Sequence, residues 1–279
     1  MDKRGDQHKY DHGHAIVISG RPGQGGAARL AARRALRIGA GRVSVFCTNE
    51  SVGEHAARLD AIMVKPFDDD IGFAGQLLAH RPASVCLGPN LGLDKDCRSK
   101  LIQILPMPIP LCLDADAISL LARDPHLIET VTHSQVIMTP HDGEVRRLIP
   151  DAFDQTTCRV SLAQIAARRF ECIILFKGAK TIIARPDGVC VMINSTAFES
   201  AAWLATGGSG DVLSGFITGL MARGFGAFEA AALGALFHVL CPDDIGPGLI
   251  VEDIPNALPD VPRKTISSAP FDLEQSPMS

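Results

Sequence analysis

No apolar run in this chain of 279 residues reaches the roughly 18–20 residues of a membrane-spanning helix. No basic excess exists either: Lys and Arg number 27 against 31 Asp and Glu, a formal net charge of -4. A nucleic-acid partner is therefore not expected, because phosphate neutralisation needs a basic face. The eight cysteines form no CxxC pair, which argues against a structural zinc site or a disulfide framework. Cys47, Cys86, Cys112, Cys172 and Cys190 fall in short apolar runs, where cysteine behaves as a small buried hydrophobe. The opening segment "MDKRGDQHKYDHGH" carries no apolar stretch of the signal-peptide kind, so a cytoplasmic protein with reduced thiols is expected. No Walker A pattern, internal repeat or interdomain linker is visible.

What is present is a repeated strand–turn–helix pattern. "HAIVIS" (14–19) reads as a buried strand, "GRPGQGG" (20–26) as a glycine loop, "AARLAARRALRIG" (27–39) as an amphipathic helix, and "RVSVFC" (42–47) as a second strand. That unit implies a parallel sheet. "ASVCLGPNLG" (83–92), "PLCLDADAISLLA" (110–122), "SQVIMTPHDGE" (134–144) and "ECIILFKGAKTIIARPDGVCVMI" (171–193) extend it, with a helix near 94–105 and a hairpin around "PDG". Two helices are predicted at about 211–223 and 226–240. The polar or glycine-rich segments follow strand ends, where open α/β sheets bind ligands.

Taken singly, most of these turns have two readings. Gly23, Gly25 and Ala28 fit G-x-G-x-x-A, with Glu50 about twenty residues on, as a redox dinucleotide fingerprint requires. Gly23 nevertheless lies too far past the strand end, and a packing turn or another ligand is the alternative. Asp114 and Asp116 are helix caps or Mg²⁺ contacts. His141 and Glu144 are structural or face a ligand. "KGAKT" (177–181) offers an ammonium, a backbone N–H and a hydroxyl, the parts a polyphosphate needs.

"LATGGSGDVLSG" (204–215) is the most specific element. Gly207, Gly208 and Gly210 permit close backbone approach. An amphipathic stripe from Val212 to Met221 starts a helix near Asp211, so its N-terminus forms an anion site. Asp211 is then an N-cap, or a base beside a transferred phosphoryl group.

Together these segments resemble the ribokinase-like superfamily, and more closely the NAD(P)H-hydrate dehydratase family. The likeness runs over about residues 12–261 and includes "LGPNLG", "LDADAISLLA", "TPHDGE", "FKGAKTII" and "LATGGSGDVLSGFITGL". It implies a three-layer α/β/α fold with a mostly parallel sheet. Loose segments are expected at 1–11 and 262–279. It also implies ADP- or ATP-dependent dehydration of hydrated NADH or NADPH, in a stand-alone form without an epimerase domain. Asp211 would be catalytic. Ala27, Gly88, Gly92, His141 and Asp211 would contact the hydrated dinucleotide. Lys177, Gly178, Ala179, Lys180, Thr181, Gly208 and Gly210 would hold the adenine nucleotide. Mg²⁺ is expected to bridge phosphates, with Asp114 and Glu144 nearby, and the family suggests a homo-oligomer. A kinase of the same superfamily, acting on a vitamin-precursor alcohol, is the alternative. Asn90 departs from the glycine usual at its place, and "NSTAFESAAW" (194–203) lacks the Thr-Gly-Asn-Pro many members carry.

Overall fold

The computed structural model describes residues 6, 8–67, 72–131 and 133–257. Strands β1 (His14–Ile18), β2 (Arg42–Thr48) and β3 (Met63–Phe67) alternate with helices α1 (Gly26–Arg37) and α2 (Val52–Ala56). Next come α3 (Phe73–Ala79), β4 (Ser84–Leu87), α4 (Lys95–Ile104), β5 (Leu111–Leu113), α5 (Asp116–Arg123) and β6 (Val136–Met138). Helices α6 (Asp142–Leu148), α7 (Pro150–Gln155) and α8 (Arg159–Phe170) precede β7 (Ile173–Phe176), β8 (Lys180–Ala184) and β9 (Cys190–Asn194). Helices α9 (Ser209–Ala222), α10 (Ala227–Leu240) and α11 (Ile254–Ala257) follow.

Among the described residues, nine strands form one sheet in the order β3-β2-β1-β4-β5-β6-β7-β8-β9. Strands β1 to β7 run parallel, and β8 and β9 turn back antiparallel. Alternate side chains face opposite layers, as the pleat requires. Ile16 and Ile18 join a core with residues of α3, α4, α5 and α8. Ala15 and Val17 face the α1 alanines, and Cys112, Ile137 and Leu175 meet α9 and α10. This is the expected three-layer α/β/α arrangement.

The sequence signals above do not reach residues 52–79 or 145–170. Edge strand β3 carries Pro66, a residue confined to sheet edges and bulges, which blurs its pattern. Helix α8 does bury Leu162, Ala163, Ala166, Ala167 and Phe170, a helical spacing. Helix α9 starts at Ser209, two residues before the predicted start. Of the segment expected to be loose at the start, residues 9–11 belong to a 3-10 turn, Lys9–His12. Residues 1–5 and 7, and the predicted tail 262–279, lie outside the described residues.

Candidate active site

Strand order reverses between β1 and β4, the kind of switch point at whose carboxyl ends open α/β sheets bind ligands. The loops after these two strands touch: a Cβ on Gly20 would lie 1.8 Å from the Asn90 carbonyl oxygen. Gly88 has φ +125, and a Cβ there would lie 1.7 Å from the Asp114 carbonyl oxygen, so only glycine fits. Asn90 has φ +50. Asparagine is among the few side-chain-bearing residues that visit this left-handed region routinely, which accounts for its standing in a glycine's place. The Gly92 N–H donates to Asp116 Oδ2 at 2.8 Å, so Asp116 anchors this loop.

The two aspartates after β5 therefore separate. Ala115 between them has φ +47, a strained conformation for a residue with a Cβ, and it directs the two carboxylates apart. Asp114 is buried. Its Oδ1 accepts from Lys177 Nζ at 2.7 Å and from the Ala115 N–H at 2.9 Å. Its Oδ2 accepts from Ser214 Oγ at 2.7 Å. Burial alone would raise the Asp114 pKa, but Lys177 and the Ser214 hydroxyl hold it below the usual carboxylate range. Neither aspartate supplies a side-chain cap to α5.

His141 is the N-cap of α6, with Nδ1 accepting from the Gly143 N–H at 3.0 Å. Its own N–H donates to Glu144 Oε2 at 2.8 Å. The structural reading of this pair is therefore realised, and Asp142 and Gly143 open a helix rather than form a turn. The imidazole remains largely exposed, with Nε2 3.6 Å from Glu144 Oε1. Glu144 is buried, and burial raises its pKa against the pull of Lys177.

Lys177, expected as a cation for a polyphosphate, is paired within the fold. Its ammonium sits 2.7 Å from Asp114 Oδ1 and 4.0 Å from Glu144 Oε2. Burial would lower its pKa, but Asp114 and Glu144 reverse the sign and raise it. The geometry does not suit direct Mg²⁺ ligation by Asp114 and Glu144. An ammonium already occupies the cation position between them, and both Asp114 oxygens are taken. No group of three or more His, Cys, Asp or Glu among the described residues is arranged to hold a metal.

Thr181 is also turned inward: its Oγ1 donates to the Gly178 carbonyl at 3.0 Å and stabilises the β7–β8 turn. Gly178, Ala179 and Lys180 are exposed in that turn. Arg159, which the sequence reading missed, braces the turn from the first position of α8. Its Nη2 donates to the Lys177 carbonyl at 2.6 Å, and its guanidinium stacks 3.6 Å from the Phe176 ring centroid. A cation at a helix N-terminus opposes the dipole, and that mismatch was the available signal.

The glycine turn lies over this cluster. Gly208 caps α9 with φ +88, and a Cβ there would meet Leu30 at 2.8 Å. A Cβ on Gly210 would lie 3.5 Å from Lys177 Nζ and 3.9 Å from Asp114 Oδ2. Asp211 is the third helical residue, not the N-cap. The Gly210 and Asp211 N–H groups fall in the first turn, where no acceptor exists within the helix. Burial first, and then the Asp114 charge, push the Asp211 pKa up to about 7, while Lys177 opposes the rise. Ser209 Oγ lies 3.0 Å from His238 Nε2 on α10. Burial and Arg34 lower the His238 pKa to about 4, so this imidazole is neutral. Ala27, expected at the substrate, is a buried second residue of α1. Glu50, the acid of the redox fingerprint, sits exposed in the 3-10 turn Asn49–Ser51. The altered segment before the glycine turn forms two 3-10 turns, Ser195–Ala197 and Glu199–Leu204.

The family model for NAD(P)H-hydrate dehydratase matches residues 15–252, nearly the whole fold just described. The chain belongs to the NAD(P)H-hydrate dehydratase family. The bifunctional NAD(P)H-hydrate repair enzyme Nnr of Moorella thermoacetica is 36% identical over 249 residues, covering 85% of this chain and 46% of that protein. The chain thus spans about half the length of the bifunctional relatives it matches. The ADP-dependent (S)-NAD(P)H-hydrate dehydratase of Neisseria meningitidis is 32% identical over 250 residues, covering 86% of this chain and 79% of that one. The Bacillus subtilis ADP/ATP-dependent NAD(P)H-hydrate dehydratase, co-crystallised with ATP/Mg²⁺, superposes with a TM-score of 0.77 at 26% identity, covering 94% and 93% of the two chains. Within the NAD(P)H-hydrate dehydratase fold, the glycine turn, Asp211, buried Asp114 and half-buried Lys177 converge at one end of the sheet.

Proposed function

We propose that this chain removes water from hydrated NADH or NADPH, using ADP or ATP, and so restores the reduced cofactor. One observation carries the reading: Asp211, a carboxylate of raised pKa, stands in the first turn of a glycine-capped helix beside the Lys177 ammonium. A base, an anion-binding helix end and a cation together suit transfer of a phosphoryl group to an alcohol.

Hydroxide leaves poorly near neutral pH. In the hydrate the hydroxyl is on the carbon next to the ring nitrogen. Asp211 takes the hydroxyl proton while the oxygen attacks the terminal phosphorus of the nucleotide. The bond from that phosphorus to the nucleotide's bridging oxygen breaks, and ADP becomes AMP. The first-turn N–H groups of α9 and Lys177 offset the charge on the phosphoryl oxygens. The ring nitrogen's lone pair then expels phosphate, and loss of the adjacent ring proton restores the dihydropyridine. Asp114 keeps Lys177 charged and in place. Gly178, Ala179 and Lys180 face the nucleotide, Thr181 shapes their turn, and Gly88, Gly92, Ala27 and His141 border the dinucleotide. Gly208 and Gly210 let the phosphates approach the backbone. A cytoplasmic homo-oligomer accords with the composition and the family.

The test is to incubate hydrated NADH with ADP and then with ATP, and follow reduced-nicotinamide absorbance. Recovery with release of phosphate is expected. No recovery with either nucleotide refutes the reading, and a stable phosphorylated alcohol would point to a kinase instead.

A further inference from the structure

The molecule also carries a cavity at the opposite end of the sheet. It has a volume of about 470 Å³ and lies at the amino ends of the strands. Pockets that bury small ligands run from about 300 to 1,000 Å³. His14 is the first residue of β1 and Arg42 the first of β2. His80 and Arg81 follow α3, and Tyr10 closes the rim from the 3-10 turn. The remaining lining residues are glycine and alanine, and no carboxylate is among them.

We propose that this cavity is a second anion site that takes a phosphate monoester between Arg42 and Arg81. It is independent of the dehydratase reading, because no residue of that site lines it. Guanidinium groups are the preferred partners of phosphate, which they bind through paired N–H donors. In a chain of net charge -4, a cavity lined by two arginines and no acid is a local reversal of sign.

Two further observations support a ligand. Arg81 has φ +49 directly after the α3 C-cap residue His80. Glycine or asparagine usually stands at such a place, and a larger residue costs about 1–2 kcal/mol. The Arg81 N–H donates to the Leu78 carbonyl at 2.9 Å, whereas no hydrogen bond or ion pair holds its guanidinium among the described residues. The second observation is the state of the histidines. His14 Nε2 is 2.8 Å from Ser44 Oγ, and its Nδ1 lies 3.1 Å from Arg42 Nη2 and 3.0 Å from the His80 carbonyl oxygen. Burial first, then Arg42, His80 and Lys65, lower the His14 pKa to about 4. Burial, Lys65 and Arg42 lower that of His80. Every neighbouring side-chain charge that acts on these rings is positive. Tyr10 adds a hydroxyl, and its ring lies under Arg42 at 5.1 Å and Lys9 at 5.3 Å.

The experiment uses the full chain, labelled with ¹⁵N-histidine and saturated with ADP to fill the nucleotide site. Inorganic phosphate and ribose 5-phosphate are titrated separately against chloride at equal ionic strength. The proposal expects saturable shifts of the His14 and His80 ring signals and a rise of both pKa values. Tighter binding of ribose 5-phosphate would identify an ester as the ligand, whereas equal or tighter binding of inorganic phosphate would overturn the monoester assignment. Arg81→Gly suits the backbone and should keep or raise the melting temperature while weakening binding at least tenfold. Arg42→Gln should weaken it as much. Shifts that chloride reproduces, that ADP abolishes, or that survive unchanged in Arg81→Gly overturn the proposal.

Discussion

Replacing Asp211 by asparagine separates what this carboxylate does for chemistry from what it costs the fold. Its pKa stands at about 7 against 3.8 for an unperturbed aspartate, chiefly through burial and then through Asp114. For a fully buried group that displacement is about 4 kcal/mol. Asp211 is partly exposed, and solvent screening reduces the figure to on the order of 1–2 kcal/mol. The sign follows from linkage. A carboxylate whose folded pKa is raised holds its proton more tightly in the folded state between pH 4 and pH 7. Stability therefore falls as pH rises through that window, and the loss is complete above about pH 7. Asp211→Asn removes this loss. Urea denaturation of both proteins from pH 4 to pH 8 should give nearly equal stabilities at pH 4. By pH 8 the variant should lead by about 1–2 kcal/mol. A gap that is constant with pH, or a variant less stable at pH 8, refutes the electrostatic account of Asp211.

Lys177→Met should cost about 3–5 kcal/mol, because it leaves Asp114 charged, buried and unpaired; chemical denaturation measures it. Arg34→Met should stabilise. All three guanidinium nitrogens are buried without a hydrogen-bond partner, the main contact is Phe216 at 4.5 Å, and burial lowers the pKa to about 10. That displacement is about 3 kcal/mol, and a rise in melting temperature is the expected readout. Gly88→Ala should destabilise by about 3 kcal/mol through strain and collision with Asp114, whereas Asn90→Gly should change stability by under about 0.5 kcal/mol.

Much of this molecule was legible because its signals are local. Apolar runs of four to seven residues ending in glycine or polar turns marked most of the parallel strands. The stripe after Asp211 marked α9. The interior of the site was not legible, because its pairings join distant segments. Lys177 and Asp114 are 63 residues apart, and Ser214 reaches Asp114 across 100. A lysine in "KGAKT" therefore read only as a cation for phosphate, and its pairing with Asp114 did not show. His141 read as open between two roles, and its part as the cap of α6 was hidden because the polar segment "HDGE" concealed that helix. Arg159 gave little signal because its partners, the Asp142 carboxylate, the Lys177 carbonyl and the Phe176 ring, come from other elements.

The central claim, that Asp211 is the base of phosphoryl transfer, is tested most directly by the pH dependence of turnover with hydrated NADH and ADP. Deprotonated Asp211 rises from roughly 10% at pH 6 to roughly 90% at pH 8 for a pKa of about 7. The wild-type rate should rise about ninefold over that range. Asp211→Asn should be slower by about 10³-fold or more and flat with pH. A variant within tenfold of wild type, or one that keeps the same rise, would contradict the assignment.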